Sequence, residues 1–370
     1  MSETFVQIES IANFPLWEKR RAENGLCSFT LELTARCNNS CRHCYINLSE
    51  NDESAKADEL SLDEIKSIAD QAVDLGALWC LLTGGEPLLR EDFEEIYIYL
   101  KQKGLLVSVF TNATLITEKH AALFRKYPPR DIEITVYGIS REIYGAVTRR
   151  PGLFPEFFRG LALLQQAGIK FTLKAVPIRE SLREYNAIAD FCRRFSYGPF
   201  RFDPLLHLRF DRDERKNREI MRQRLEPEQI AALERADKER RQGLEKSCGL
   251  VEGRDSIIAS SYLFGCGAGL NDFVVSYDGW YRLCSSLWHT DCLYDLRRGS
   301  IKDAWENFVP KVRSMTSNRR VFLEHCDRCS LVNLCLWCPA HSFLETGYMD
   351  LPQSYFCEVA GARSNTIARG

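Results

Sequence analysis

Six short β-rich runs alternate with helix-patterned segments over the first two-thirds of the chain, and this alternation limits the fold more than any other feature. The runs are Phe29 to Leu33, Ala77 to Leu82, Leu105 to Phe110, Ile132 to Val136, Ile169 to Val176 and Phe200 to Leu205. Between them apolar residues recur at helical spacing. Ser61 and Glu64 form a capping-box pattern around the start of a helix carrying Leu62, Ile65, Ala69 and Ala72, and Gly76, Gly104 and Gly168 stand where three helices stop. Successive βα units joined right-handedly give either an open doubly wound sheet or a barrel, and six are too few for a closed eight-stranded barrel.

At 370 residues the chain has room for two domains of ~150 residues each or one with an appendage. Its 45% hydrophobic share supports a substantial core and excludes a disordered chain. The start, MSETFVQIES, has no basic segment followed by an apolar stretch, and no apolar run is long enough to cross a bilayer. The expected setting is a reducing cytoplasm. There, 15 cysteines are too few for a disulfide scaffold, which needs ~8–10%, and regular spacings read as metal ligands or redox groups. A formal charge of -2 gives no general attraction to nucleic acid. From Arg209 to Gln242 the chain carries 11 basic and 9 acidic residues, a balance that reads as a solvated helical linker interrupted at Pro227. Nine of the 15 cysteines follow it. The expected division is an N-terminal segment over 1–28, a βα domain over 29–208, a charged linker over 209–260 and a cysteine-rich domain over 261–370.

The first strand runs into CNNSCRHC, which holds Cys37, Cys41 and Cys44. Three thiolates at C-x3-C-x2-C spacing in one loop can wrap a corner of a metal cluster; a four-iron cubane would keep one iron free of cysteine, and zinc would need a fourth ligand. The second strand ends in TGGEP, where Gly84 and Gly85 permit close backbone approach and Glu86 can accept hydrogen bonds from an ammonium group. Both motifs fall at strand C-terminal ends, where α/β folds gather ligands.

This loop, the GGEP after the next strand and the six βα units together resemble the radical S-adenosylmethionine (SAM) superfamily over roughly Phe29 to Leu206. The resemblance implies a partial (β/α)6 barrel and a [4Fe-4S] cluster on Cys37, Cys41 and Cys44 whose open iron chelates SAM. One electron from that cluster would cleave SAM to methionine and a 5'-deoxyadenosyl radical, which abstracts hydrogen from a substrate. It also implies that Gly84, Gly85 and Glu86 hold the methionine amino group, that His43 lies near the adenine, and that Asn112 and Thr135 contact the ribose or carboxylate. The electron would come from a ferredoxin or flavodoxin-type donor.

Further on, Cys266, Gly279 and Cys284 are followed by CDRCSLVNLCLWC with Cys326, Cys329, Cys335 and Cys338, and then by Cys357. This order resembles the SPASM extension of radical SAM peptide-modifying enzymes, over about Tyr262 to Ala362. It implies two auxiliary iron-sulfur clusters, three [4Fe-4S] clusters in all. In the family's topology Cys326, Cys329, Cys335 and Cys357 hold the distal one and Cys266, Cys284 and Cys338 the nearer. Here only Leu336 and Trp337 separate Cys335 from Cys338, one residue fewer than usual, so the pairing could differ. A zinc ribbon on Cys326, Cys329, Cys335 and Cys338 is the inorganic alternative. The nearer cluster lacks one ligand, which Cys248, Cys292 or a substrate group could supply. Cys80 and Cys192 lie in apolar runs and read as core, and Cys27 stays unassigned.

The resemblance implies an enzyme that oxidatively modifies a ribosomally made peptide or protein, by a thioether or carbon-carbon crosslink. A formylglycine-forming sulfatase maturase is less compatible, because the aspartate base of those relatives is replaced by Ser285. A small-molecule enzyme of the tetrapyrrole type and a non-enzymatic zinc or iron-sulfur protein are the other readings. The 28 residues before the first strand are too few for a winged-helix leader-binding element, so a separate leader-binding protein or recognition by the barrel rim is expected. The general base is not legible. Tyr137, Arg149 and Arg150 are candidate substrate contacts at the rim of the fourth strand.

Overall fold

The computed structural model describes residues 25–252, 261–335 and 337–367. Six parallel strands form in chain order: β1 (Ser28–Thr34), β2 (Trp79–Gly84), β3 (Leu106–Thr111), β4 (Asp131–Val136), β5 (Thr172–Ala175) and β6 (Arg201–Phe202). They are spatial neighbours in that same order, as βα units wound in one direction must be. The expected strands and the partial (β/α)6 barrel are therefore present, with β6 shorter than its apolar run.

Side-chain alternation divides the sheet into two unlike faces. Phe29, Leu31 and Leu33 of β1 are aligned with Cys80 and Leu82, then Val107 and Val109, then Ile132 and Ile134, all buried against helices Leu62–Asp74, Phe93–Gln102, Glu118–Lys126, Phe154–Gln166 and Tyr185–Phe195. Each such aliphatic side chain stabilises the fold by about 1.5–3 kcal/mol relative to exposure. The alternate residues, Glu32, Ser108, Glu133, Thr135 and Lys174, give the other face a polar lining, with Lys174 bridged to Glu133 at 2.7 Å. The capping box at Ser61 and Glu64 forms as expected, and Gly76 ends that helix at φ 93°.

The cysteine-rich region continues the barrel sheet: β7 (Asp272–Val275) lies parallel beside β1, and β8 (Trp280–Arg282) and β9 (Tyr294–Asp295) extend the same sheet antiparallel. The reason is aromatic burial, since Phe273 stacks on Phe29 at 5.6 Å and on Tyr281 at 4.7 Å. The stretch 209–242 is helical as expected, but it is not wholly solvated. Helices Glu214–Gln223 and Pro227–Ala236 bury Ile220 and Ile230, and the fully buried Glu234 is held by two 2.7 Å hydrogen bonds from Arg363 of the C-terminal helix Ser354–Ile367. Pro227 opens the second of these helices, so the expected interruption is real. Among the described residues no helix is long and apolar enough to cross a membrane. The N-terminal segment falls outside the described residues up to residue 24, as does Leu336.

Candidate functional site

The cysteine loop leaves β1 at Thr34 and is closed by a two-residue pairing of Arg36 and Cys37 with Leu48 and Ser49. Arg36 is clamped by Glu59 at 2.7 Å. Further along, the amides of Ser40 and Arg42 donate to the carbonyls of Thr148 and Val147, and Arg42 Nε donates to Ala146 O at 2.7 Å, so the loop is tied to the end of helix Arg141–Thr148. The thiols of Cys37, Cys41 and Cys44 line one cavity of about 200 Å³. Burial pushes the Cys37 and Cys41 thiols up; Glu86 and Cys44 push Cys37 further, and Cys44 and Cys37 push Cys41 further. Donors oppose this: Asn112 Nδ2 lies 3.8 Å from Cys37 Sγ, and Tyr137 hydrogen-bonds Cys41.

Two buried cysteines and the half-buried Cys44 lining one space, with donors aimed at two sulfurs, fit a cationic cluster that would convert them to thiolates. Among the described residues no three His, Cys, Asp or Glu side chains converge as they would around a single ion.

The GGEP turn has an unexpected neighbour. A Cβ at Gly84 would stand 2.2 Å from Thr34 O, and one at Gly85 2.2 Å from Arg36 O. Gly85 N–H donates to Thr34 O at 2.6 Å and Glu86 N–H to Arg36 O at 2.9 Å. The close approach permitted by these glycines is therefore made to the start of the cysteine loop. Glu86 is fully buried and accepts from the Asn112 amide at 2.7 Å, the Thr111 hydroxyl at 2.8 Å and the Leu88 amide at 3.2 Å. Burial outweighs these donors and raises its pKa to about 7.

Asn112 also donates to Asn38 Oδ1 at 2.9 Å and accepts from Thr114, linking the ends of β1 and β3. His43 lies with its ring 5.8 Å from that of Tyr137; Nδ1 is buried without a protein partner, and burial lowers its pKa to about 4, so it is neutral near pH 7. Thr135 is half-buried on the polar face, in register with Lys174. The structure thus brings Cys37, Asn112 and Glu86 together and sets His43 beside Tyr137 and Cys41, with Thr135 further along the wall. Asn38, Thr111 and Thr114 escaped the sequence reading; the repeated Asn in CNNSC and the polar run TNAT were the available signals.

The C-terminal thiols form two groups. Burial raises the pKa of Cys326 to about 12, helped by Cys357, Cys335 and Cys329; burial also raises Cys335, with Cys357 and Cys329 adding to it, and Cys357, with Cys329 adding to it. Separately, burial raises Cys338 to about 12 with Cys284 and Cys266 as its thiol neighbours. Cys335 and Cys338 face different groups despite the short spacing, because Cys338 caps helix Pro339–Thr346 and its sulfur accepts the His341 amide. Cys292 is fully buried, its Sγ 3.8 Å from both Met315 Sδ and Met349 Sδ, and it acts electrostatically with Cys284. The side chain of Cys248 lies outside the described residues. Cys80 and Cys192 are core residues, and Cys27 is buried near Gly25 O. Arg282 of β8 pairs with Glu32 of β1, both fully buried, and stacks 3.7 Å from the Trp288 ring.

The pattern of the Radical SAM superfamily matches residues 31–192. The AdoMet-dependent heme synthase of Nitratidesulfovibrio vulgaris is 32% identical over 163 residues, 44% of this chain and 44% of that protein. The antilisterial bacteriocin subtilosin biosynthesis protein AlbA of Bacillus subtilis is 26% identical over 317 residues, 84% of this chain and 66% of that protein. The match thus spans less than half the length of the heme synthase. Among solved structures, Streptococcus suis SuiB bound to precursor peptide SuiA has a similar fold, with TM-score 0.63 at 16% identity over 96% of this chain and 84% of that one. Residues 31–192 thus carry the Radical SAM domain, and the C-terminal region beyond them is rich in cysteine.

Proposed function

We propose that the protein reductively cleaves SAM to a 5'-deoxyadenosyl radical and uses it to abstract hydrogen from a ribosomally made peptide or protein, leaving an oxidative thioether or carbon-carbon crosslink. The observation that carries this reading is the sorting of ten thiols into three sets: Cys37, Cys41 and Cys44; Cys266, Cys284 and Cys338; and Cys326, Cys329, Cys335 and Cys357. Three [4Fe-4S] clusters would use these sets. When bound, the first supplies one electron to SAM, and the other two provide sinks for the electron released as the substrate is oxidised.

The chain's own residues prepare this chemistry. Asn112 and Tyr137 hydrogen-bond the sulfurs that would ligate iron, which tunes potential. Glu86, buried without a paired cation among the described residues, suits an incoming ammonium group, and neutral His43 beside Tyr137 suits an uncharged adenine face. Cys292, directed at two methionine sulfurs, is left as a packing residue in this account, with the last site of the nearer auxiliary cluster open to substrate.

A peptide substrate is favoured because the similarity to AlbA extends over 84% of the chain. The second reading, a tetrapyrrole, is favoured by the 32% identity to a heme synthase over 163 residues. A precursor peptide co-expressed with the enzyme and analysed by mass spectrometry should lose two hydrogens per crosslink. An unchanged peptide together with consumption of an iron porphyrin would overturn the peptide reading.

A further inference from the structure

The cavity that holds Cys37, Cys41 and Cys44 has a one-sided charge. Arg42, Arg149, Arg150 and Lys216 line it, with Glu219 as the single carboxylate, in a chain whose net charge is -2. Glu219 is already spoken for: burial works against its ionisation, but hydrogen bonds from Arg149 and Arg42 hold its carboxyl below the ordinary value. None of Gly84, Gly85, Glu86, Asn112 or Thr135 lines this cavity, so it reaches the thiols from a side distinct from the proposed SAM contacts.

The positive rim continues outward. In helix Glu214–Gln223, Ile220 and Gln223 are buried while Lys216, Glu219 and Ile220 border the cavity. At 100° per residue, Arg215, Arg218 and Arg222 form one stripe on the flank next to Glu219, and all three are exposed. Met221, 42% exposed, sits beside them. Glu214 and Glu50 are the acidic neighbours, paired to Arg218 at 3.5 Å and Arg150 at 3.8 Å. Arg149 itself occupies a left-handed position at φ 57° as the cap of helix Arg141–Thr148, its amide donating to Gly145 O. The balanced composition of 209–242 concealed this patch, because folding buries Glu234 against Arg363 and leaves the arginine stripe outside.

We propose that this cationic rim is the docking surface for an acidic one-electron donor protein that reduces the cluster on Cys37, Cys41 and Cys44; the inference rests on the radical SAM reading. Redox encounters bury little area and depend on charge complementarity for their association rate. A positive patch contiguous with the walls of the cluster cavity, ending in one exposed methionine, has that character.

The test compares Arg215→Glu/Arg218→Glu/Arg222→Glu with the wild type, both reconstituted anaerobically, in SAM cleavage to 5'-deoxyadenosine without added substrate. Reduced flavodoxin serves as the acidic protein donor and dithionite as the small one. The expected result is a fall of about tenfold or more with flavodoxin at low salt, no change with dithionite, and a wild-type flavodoxin rate that drops as salt rises. Equal flavodoxin rates, or equal losses with both reductants, would overturn the docking surface. Failure of the underlying reading would look different, since the wild type would then give no 5'-deoxyadenosine even with dithionite, and both proposals would fall.

Discussion

Glu86 accepts three hydrogen bonds, yet burial lifts its pKa to about 7 from an ordinary 4.5. An acid raised in this way contributes most to stability below pH 4.5, and the contribution is lost as pH rises through about 7. An ammonium group brought beside it would favour the carboxylate, so SAM binding at pH 6.5 should release protons. Titration calorimetry in two buffers of different ionisation enthalpy measures this: release in the wild type and markedly less in Glu86→Gln is expected, and equal values would contradict the role. Asn112→Ala removes the donor near Cys37 Sγ. The cluster potential should then fall by on the order of tens of millivolts, the equivalent of about 1 kcal/mol, in an EPR-monitored redox titration. The types of these residues were legible in sequence, but their partners were not: nothing in the local pattern of TNAT shows that Asn112 spans to Cys37, 75 positions away.

At the scale of elements, the cysteine loop is held by the GGEP turn rather than merely lying beside it. Gly85→Ala puts a Cβ against the backbone carbonyl of Arg36, which has no rotamer by which to retreat. SAM affinity should fall at least about tenfold and the iron content of the reconstituted protein should drop; wild-type binding in this variant would show that the contact is dispensable. All six barrel strands were readable as short β-rich runs, and Gly76, Gly104 and Gly168 mark the helix stops before three of them. β7 was not, since four residues, Asp272–Val275, carry too little periodicity and pair with a strand more than 240 positions earlier. Helix Glu214–Gln223 was misjudged as solvated because charge dominates its composition, although Asn217, Ile220 and Gln223 supply a narrow buried stripe.

The whole molecule is unified by the continuous sheet and by buried ion pairs that cross between its regions. Glu32 on β1 and Arg282 on β8 join the barrel to the cysteine-rich region. Arg282→Met alone should cost about 3–5 kcal/mol in thermal or denaturant unfolding, since it strands a buried carboxylate, whereas Glu32→Leu/Arg282→Met should recover most of the loss. Equal destabilisation by the single and double variants would show that the pair is not the tie. The same sheet carries the start of the first cysteine loop at β1 and, through β7 and β8, the approach to Cys284, and the proposed function rests on three clusters. Anaerobic reconstitution with iron and sulfide analysis, coupled to a 5'-deoxyadenosine assay, tests it most directly. About 11–12 irons per chain and SAM cleavage are expected in the wild type, and about 8 irons with no cleavage in Cys37→Ala/Cys41→Ala/Cys44→Ala. About 4 irons or zinc alone in the wild type, or cleavage surviving the triple substitution, would contradict it.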